Sequence, residues 1–140
     1  MGIDQADLAL LPKIELRVDT NFHNLQVTGE ILSSLESLRM SDSIIGSFRD
    51  LGTSFKSLRV LYLARCGLKE CQGIQAFERL EELYLGFNYI SDMFDIGFCE
   101  YLLVLDLEDN EVADLDMLSY LRRCENLEDL SLRSNPVTKK

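Results

Sequence analysis

The stretch Leu80-Glu81-Glu82-Leu83-Tyr84-Leu85-Gly86-Phe87-Asn88-Tyr89-Ile90 decides the fold. Reduced to its apolar frame it reads Leu80-x-x-Leu83-x-Leu85-x-x-Asn88-x-Ile90. The same frame stands upstream as Leu58-x-x-Leu61-x-Leu63-x-x-Cys66-x-Leu68 and downstream as Leu102-x-x-Leu105-x-Leu107-x-x-Asn110-x-Val112. Followed outward, its fourth position gives Leu16, Leu38, Leu61, Leu83, Leu105 and Leu130, in steps of 22, 23, 22, 22 and 25 residues.

A period of about 20–29 residues with this core is the leucine-rich-repeat signature. Each repeat lays down one short strand and a return arc. Neither can bury its apolar edge alone, so neighbours must stack into a common core. The expected fold is α/β: a leucine-rich-repeat solenoid of about six repeats, with a parallel sheet on the concave face and 3-10 or α arcs on the convex face. Residues 1–140 read as one domain. Strands are expected near 15–18, 37–40, 60–63, 82–85, 104–107 and 129–132. Because strand side chains alternate, the pairs Leu16/Val18, Leu38/Met40, Leu61/Leu63, Leu83/Leu85, Leu105/Leu107 and Leu130/Leu132 should point inward.

The chain turns after its strands at Asn88, Asn110 and Asn135, where an amide can bond backbone groups that the turn leaves unpaired. Ser43 and Cys66 hold that slot earlier and should serve it less well. Return arcs carry apolar residues three apart, as in Cys71, Ile74, Phe77, Leu80 and Met93, Ile96, Cys99, Leu102, which suits short 3-10 or α turns. The longer arc from Leu115 to Cys124 is expected to hold an α-helix of about two turns. Residues 19–25 break the pattern and should form an irregular loop. Residues 1–13 are expected to form an N-terminal cap, with Leu8, Leu10 and Leu11 over the first repeat. No cap is visible after the last strand.

Composition narrows the function. Net charge is −10, from 24 acidic and 14 basic side chains, so a phosphate backbone is repelled and nucleic acid is not an expected partner. No run approaches the roughly 18 apolar residues of a membrane helix, and the N-terminus does not read as a secretory signal. Cys66, Cys71 and Cys99 fall in repeat slots that neighbours fill with Asn or apolar residues. All four cysteines therefore read as reduced, which points to an intracellular, cytoplasmic protein. Without C-x-x-C pairs and with His23 alone, no metal site is expected. No catalytic constellation or phosphate cradle appears, so an enzyme and a bound cofactor are not expected.

What remains is the concave face. Its exposed positions bring Val60, Tyr62, Tyr84, Phe87 and Val104 into the middle repeats. Arg17, Arg39 and Arg65 lie toward the N-terminal side, and Asp106, Glu108 and Asp129 toward the C-terminal side. An exposed aromatic cluster with a charged rim has the anatomy of a protein-binding hot spot. The alternative is that Tyr62 and Tyr84 simply pair along the sheet. A protein partner held by this face, with the chain acting as a monomer, is the expectation.

Repeats with Asn-x-Ile/Val-x-Asp, such as Asn88-Tyr89-Ile90-Ser91-Asp92, resemble the short intracellular leucine-rich-repeat class. Closer in, VDTNFHNL (18–25), DSIIGSFRDLGTSFKSLRVLYLARCGL (42–68), LEELYLGFNYISD (80–92) and VLDLEDNEVADL (104–115) resemble the leucine-rich repeat-containing protein 56 family. That resemblance implies a non-enzymatic adaptor for outer dynein arm assembly or transport in cilia and flagella, with dynein arm or intraflagellar transport components as partners. The broader class offers two alternatives: a phosphatase-regulatory subunit, or a structural axonemal light chain on dynein or tubulin.

Overall fold

The computed structural model describes residues 5–139, and side chains from residue 7 onward. Six three-residue strands form one parallel sheet in sequence order: β1 (Lys13–Glu15), β2 (Ser37–Arg39), β3 (Val60–Tyr62), β4 (Glu82–Tyr84), β5 (Val104–Asp106) and β6 (Asp129–Ser131). Parallel neighbours need a crossover, and here each crossover is one turn of the solenoid. The arcs contain 3-10 segments at Phe48–Leu51, Ile74–Ala76, Asp95–Phe98, Leu115–Arg123 and Pro136–Thr138.

The inward leucines stack in register, Leu38 on Leu61 on Leu83 on Leu105, each at most 1% exposed. Burying each stabilises the fold by about 1.5–3 kcal/mol before chain ordering is counted. The outer coils are less covered. Ile14, Leu16, Val18 and Leu132 are only partly buried, and Leu130 is 37% exposed, because the end coils have a neighbour on one side only.

A polar spine runs beside the leucines. The Asn88 side-chain oxygen accepts from the amides of Cys66 and Leu68 in the preceding coil, while its amide donates to Leu63 O and Leu85 O. Asn110 accepts from Ile90 N and donates to Leu85 O and Leu107 O. Asn135 accepts from Val112 N and donates to Leu107 O and Leu132 O. Ser43 offers a single bond, from Val18 N at 3.0 Å. The Cys66 thiol donates to Met40 O at 3.2 Å. All four cysteines are free and buried. Burial pushes the Cys66 thiol up to about 11 and Cys99 to about 12, and raises Cys71 and Cys124 as well.

Three expectations need correction. The first strand lies two residues earlier than the leucine beat suggests: Ile14, not Leu16, pairs with Leu38. Ile14, Leu16 and Val18 alternate, so two registers satisfy the apolar pattern equally. The shorter turn after Leu16 makes the earlier one fit, because Val18 N already reaches Ser43.

The arc Leu115–Arg123 is a 3-10 segment throughout rather than an α-helix. Leu118, Leu121 and Cys124 are three apart, and three residues per turn keep them on one inward stripe. The Cys124 thiol lies on Cys99 O, so Cys124 fills the slot of Cys99. The extra residues thus enter before Leu118, which leaves Leu115 60% exposed.

At the N-terminus, α1 (Gln5–Leu8) precedes β1, and Leu8 and Leu11 pack on the core, but Leu10 is turned to solvent. Asp4 lies outside the described residues. The irregular loop leads into a true α-helix, α2 (Gln26–Ile31), which the leucine frame did not signal. Its entry is an Asx turn in which Asn24 Oδ1 accepts from Gln26 N.

Candidate functional site

Strand register places Glu15, Arg39, Tyr62, Tyr84, Asp106 and Ser131 side by side in one row across the concave face. The Arg39 guanidinium sits 4.4 Å from the Tyr62 ring centre. Tyr62 and Tyr84 stack with centres 4.5 Å apart and planes 6° from parallel. Tyr62 therefore has a neighbour on each face of its ring and offers its edge and hydroxyl outward. The Tyr84 hydroxyl donates to Glu82 Oε1 at 2.6 Å. That bond, aided by burial, raises the phenol well above its ordinary range.

Both tyrosines are half-buried. The pairing along the sheet is therefore real, and it leaves part of each ring open. Val60 and Val104 lie in the adjacent row with Glu82 between them. That carboxylate, tied to Tyr84, keeps the two valines apart in their row.

A second column follows the turns. Arg65 lies 4.5 Å from the Phe87 ring centre. Both residues have left-handed backbone, φ 56° and 59°. The same turn position carries Asp42, Asp109 and Ser134 in other coils, also at positive φ. The coil dictates the conformation, which short polar side chains tolerate best. Arg65 and Phe87 are the two costly choices, and they stack on one another.

At the N-terminal end the charged row differs from the expected one. Arg17 is not in the concave row; the register correction moves it past the strand, where it pairs loosely with Asp42 at 3.8 Å. Glu15 instead stands beside Arg39, the place the leucine beat assigned to Arg17. Arg39 and Arg65 remain on the N-terminal side. Asp106, Glu108, Asp109 and Asp129 gather on the C-terminal side, and among the described residues none makes an ion pair. On the sheet's edge Arg59 bridges Glu36 and Glu81, a ladder that ends before Leu103. No group of three His, Cys, Asp or Glu among the described residues could hold a metal. No helix is long and apolar enough to cross a membrane.

The concave reading missed a convex feature. Phe94, Phe98 and Tyr120 form an edge-to-face cluster on the arcs of the fourth and fifth coils. Comparing repeat columns would have exposed it, since the third coil has Gln72 and Ala76 where the fourth has Phe94 and Phe98.

No family model matches the chain. Among curated proteins, leucine-rich repeat-containing protein 56 of Rattus norvegicus is 46% identical over 131 residues, covering 94% of this chain and 24% of that protein. The homolog in Trypanosoma brucei brucei is 38% identical over 109 residues, 76% of this chain and 14% of its own length. Dynein axonemal assembly factor 11 of Trypanosoma brucei brucei is 32% identical over 108 residues, 77% of this chain and 28% of that protein. A solved internalin from Listeria monocytogenes superimposes on 96% of this chain and 45% of its own, with TM-score 0.74 at 18% identity, and establishes the fold alone. The chain thus spans about a quarter of the length of the rat relative. A shared repeat brings 18% identity with the internalin, whereas 46% persists along nearly the whole chain against the rat protein. By that measure the chain belongs to the leucine-rich repeat-containing protein 56 family.

Proposed function

We propose that this repeat domain is a non-enzymatic adaptor that binds protein on its concave face during assembly or transport of axonemal outer dynein arms, in the cytoplasm and the cilium or flagellum. The stacked Arg39–Tyr62–Tyr84 column carries the reading of the site. Rings held rigid by stacking lose little freedom when a partner docks, and rigid aromatics with arginine dominate binding energy at protein interfaces. Unpaired Asp106, Glu108 and Asp129 flank the column, so a docking segment fits best with basic side chains at that end. Val60, Arg65, Phe87 and Val104 would complete the contact surface. Support for the process is the likeness to a protein named dynein axonemal assembly factor 11, together with family membership.

Affinity capture from an extract of flagellated cells tests this reading. The unsubstituted chain should retain outer dynein arm or intraflagellar transport subunits, and Tyr62→Ala/Tyr84→Ala should lose them. Capture of a phosphatase catalytic subunit instead, or undiminished capture by the double variant, would refute it.

A further inference from the structure

The convex aromatic cluster belongs to no part of the repeat frame. The fold needs nothing large at these outward positions, since Gln72 and Ala76 serve in the preceding coil. Yet Phe94 is 48% exposed, Phe98 40% and Tyr120 39%. The rings are ordered: Phe94 meets Phe98 at 5.4 Å and 81°, and Tyr120 at 5.3 Å and 89°. Three half-open rings gathered at one place form the kind of apolar patch that marks an interaction site.

Two local features build the patch. The extra residues of the fifth arc swing Tyr120 over the fourth coil. Gly97 makes room for the approach, because a Cβ there would stand 2.2 Å from Tyr120 O. Between the coils lies a cleft of about 300 Å³, lined by Phe94, Gly97, Phe98, Tyr120, Arg122 and Arg123.

Charge identifies the occupant. In a chain of net charge −10, this cleft is rimmed by adjacent arginines. Neither Arg122 nor Arg123 makes an ion pair among the described residues. Arg123 lies over the Phe98 ring at 4.9 Å. Glu100 and Glu125 share a neighbouring cleft with Arg123 and line no part of this one. Such guanidinium groups favour carboxylates and match them with two parallel hydrogen bonds.

We propose that this convex cleft is a second protein-docking site, which takes an acidic segment of a partner by seating one apolar side chain among Phe94, Phe98 and Tyr120 and its carboxylates on Arg122 and Arg123. The cleft lies on the arcs, away from the concave tyrosines, and stands whether or not that face binds. With two such faces the domain would bridge two proteins rather than hold one.

A random-peptide display library selected against the whole chain tests this, with Phe94→Gln/Phe98→Ala as the comparison. That variant restores the side chains of the preceding coil and should stay folded, unfolding at most a few degrees lower for the lost ring contacts, so binding is compared where both chains are folded. Peptides enriched on the unsubstituted chain should carry an aromatic or aliphatic residue flanked by Asp or Glu. They should bind the double variant about tenfold more weakly, and Tyr62→Ala/Tyr84→Ala undiminished. Enrichment of basic sequences, equal enrichment on the convex variant, or no enrichment overturns the proposal. A concentration-dependent dimer abolished by the convex substitutions also overturns it, since the occupant would then be a second copy.

Discussion

Two ladders run from coil to coil side by side, the asparagine spine and the tyrosine column, and they obey different masters. Asn88, Asn110 and Asn135 are at most 4% exposed, and each satisfies backbone groups of two coils at once. Tyr62 and Tyr84 are half-open, touch side chains rather than backbone, and give way to Arg39 and Asp106 in adjoining strands. The spine residues are dictated by a backbone that cannot be left unpaired. The column is free to vary, so its aromatics call for a reason outside the fold. Substitutions should separate the two.

The largest expected loss of stability comes from the spine. Asn110→Ala leaves Ile90 N without its acceptor and takes one of two amide donors from each of Leu85 O and Leu107 O, and should cost about 1–3 kcal/mol. A denaturant midpoint equal to that of the unsubstituted chain would show that the spine is not structural. Tyr84→Ala should lower stability less, by about 0.5–1.5 kcal/mol from lost stacking, yet weaken partner binding by about 1–3 kcal/mol. Stability loss larger than binding loss would place Tyr84 with the spine.

Within the spine, Cys66 adds a pH dependence that asparagine lacks. Its thiol titrates at about 11 when folded, against an ordinary 9.0, so the unfolded chain loses this proton first. The stabilisation is complete below pH 9 and is lost as pH rises toward 11. From about pH 8 to about pH 10, the unsubstituted chain should lose about 1 kcal/mol more than Cys66→Asn, measured by denaturant unfolding. Parallel curves would mean that the thiol is not held neutral. At neutral pH, Cys66→Asn should gain about 0.5–1 kcal/mol by extending the amide ladder one coil toward the N-terminus. A loss there would mean that the earlier turns are built around sulfur.

The leucine beat made the coils legible because each strand must bury the same two positions, and five of six strands stand where it puts them. It slipped at β1, since Ile14, Leu16 and Val18 fit either register and only the length of the next turn decides. It misread the arc at Leu115–Arg123 because apolar residues three apart suit either helix until stacking on Cys99 fixes their path. Concave positions of Arg39, Tyr62, Tyr84 and Asp106 followed from the period of two. Glu82 between the valines, and the stacking of each arginine on a ring, depend on rotamers that spacing does not encode. Phe94 and Phe98 went unseen because the period defines what a coil needs, and these residues are surplus to it.

Capture of outer dynein arm subunits by three proteins, each at a temperature where all are folded, tests the concave face most directly: the unsubstituted chain, Asn110→Ala, and Tyr62→Ala/Tyr84→Ala. The predicted result is full capture by the weakened but intact Asn110→Ala and little by the tyrosine variant. Equal capture by all three, or loss that follows stability instead of the tyrosines, would contradict it.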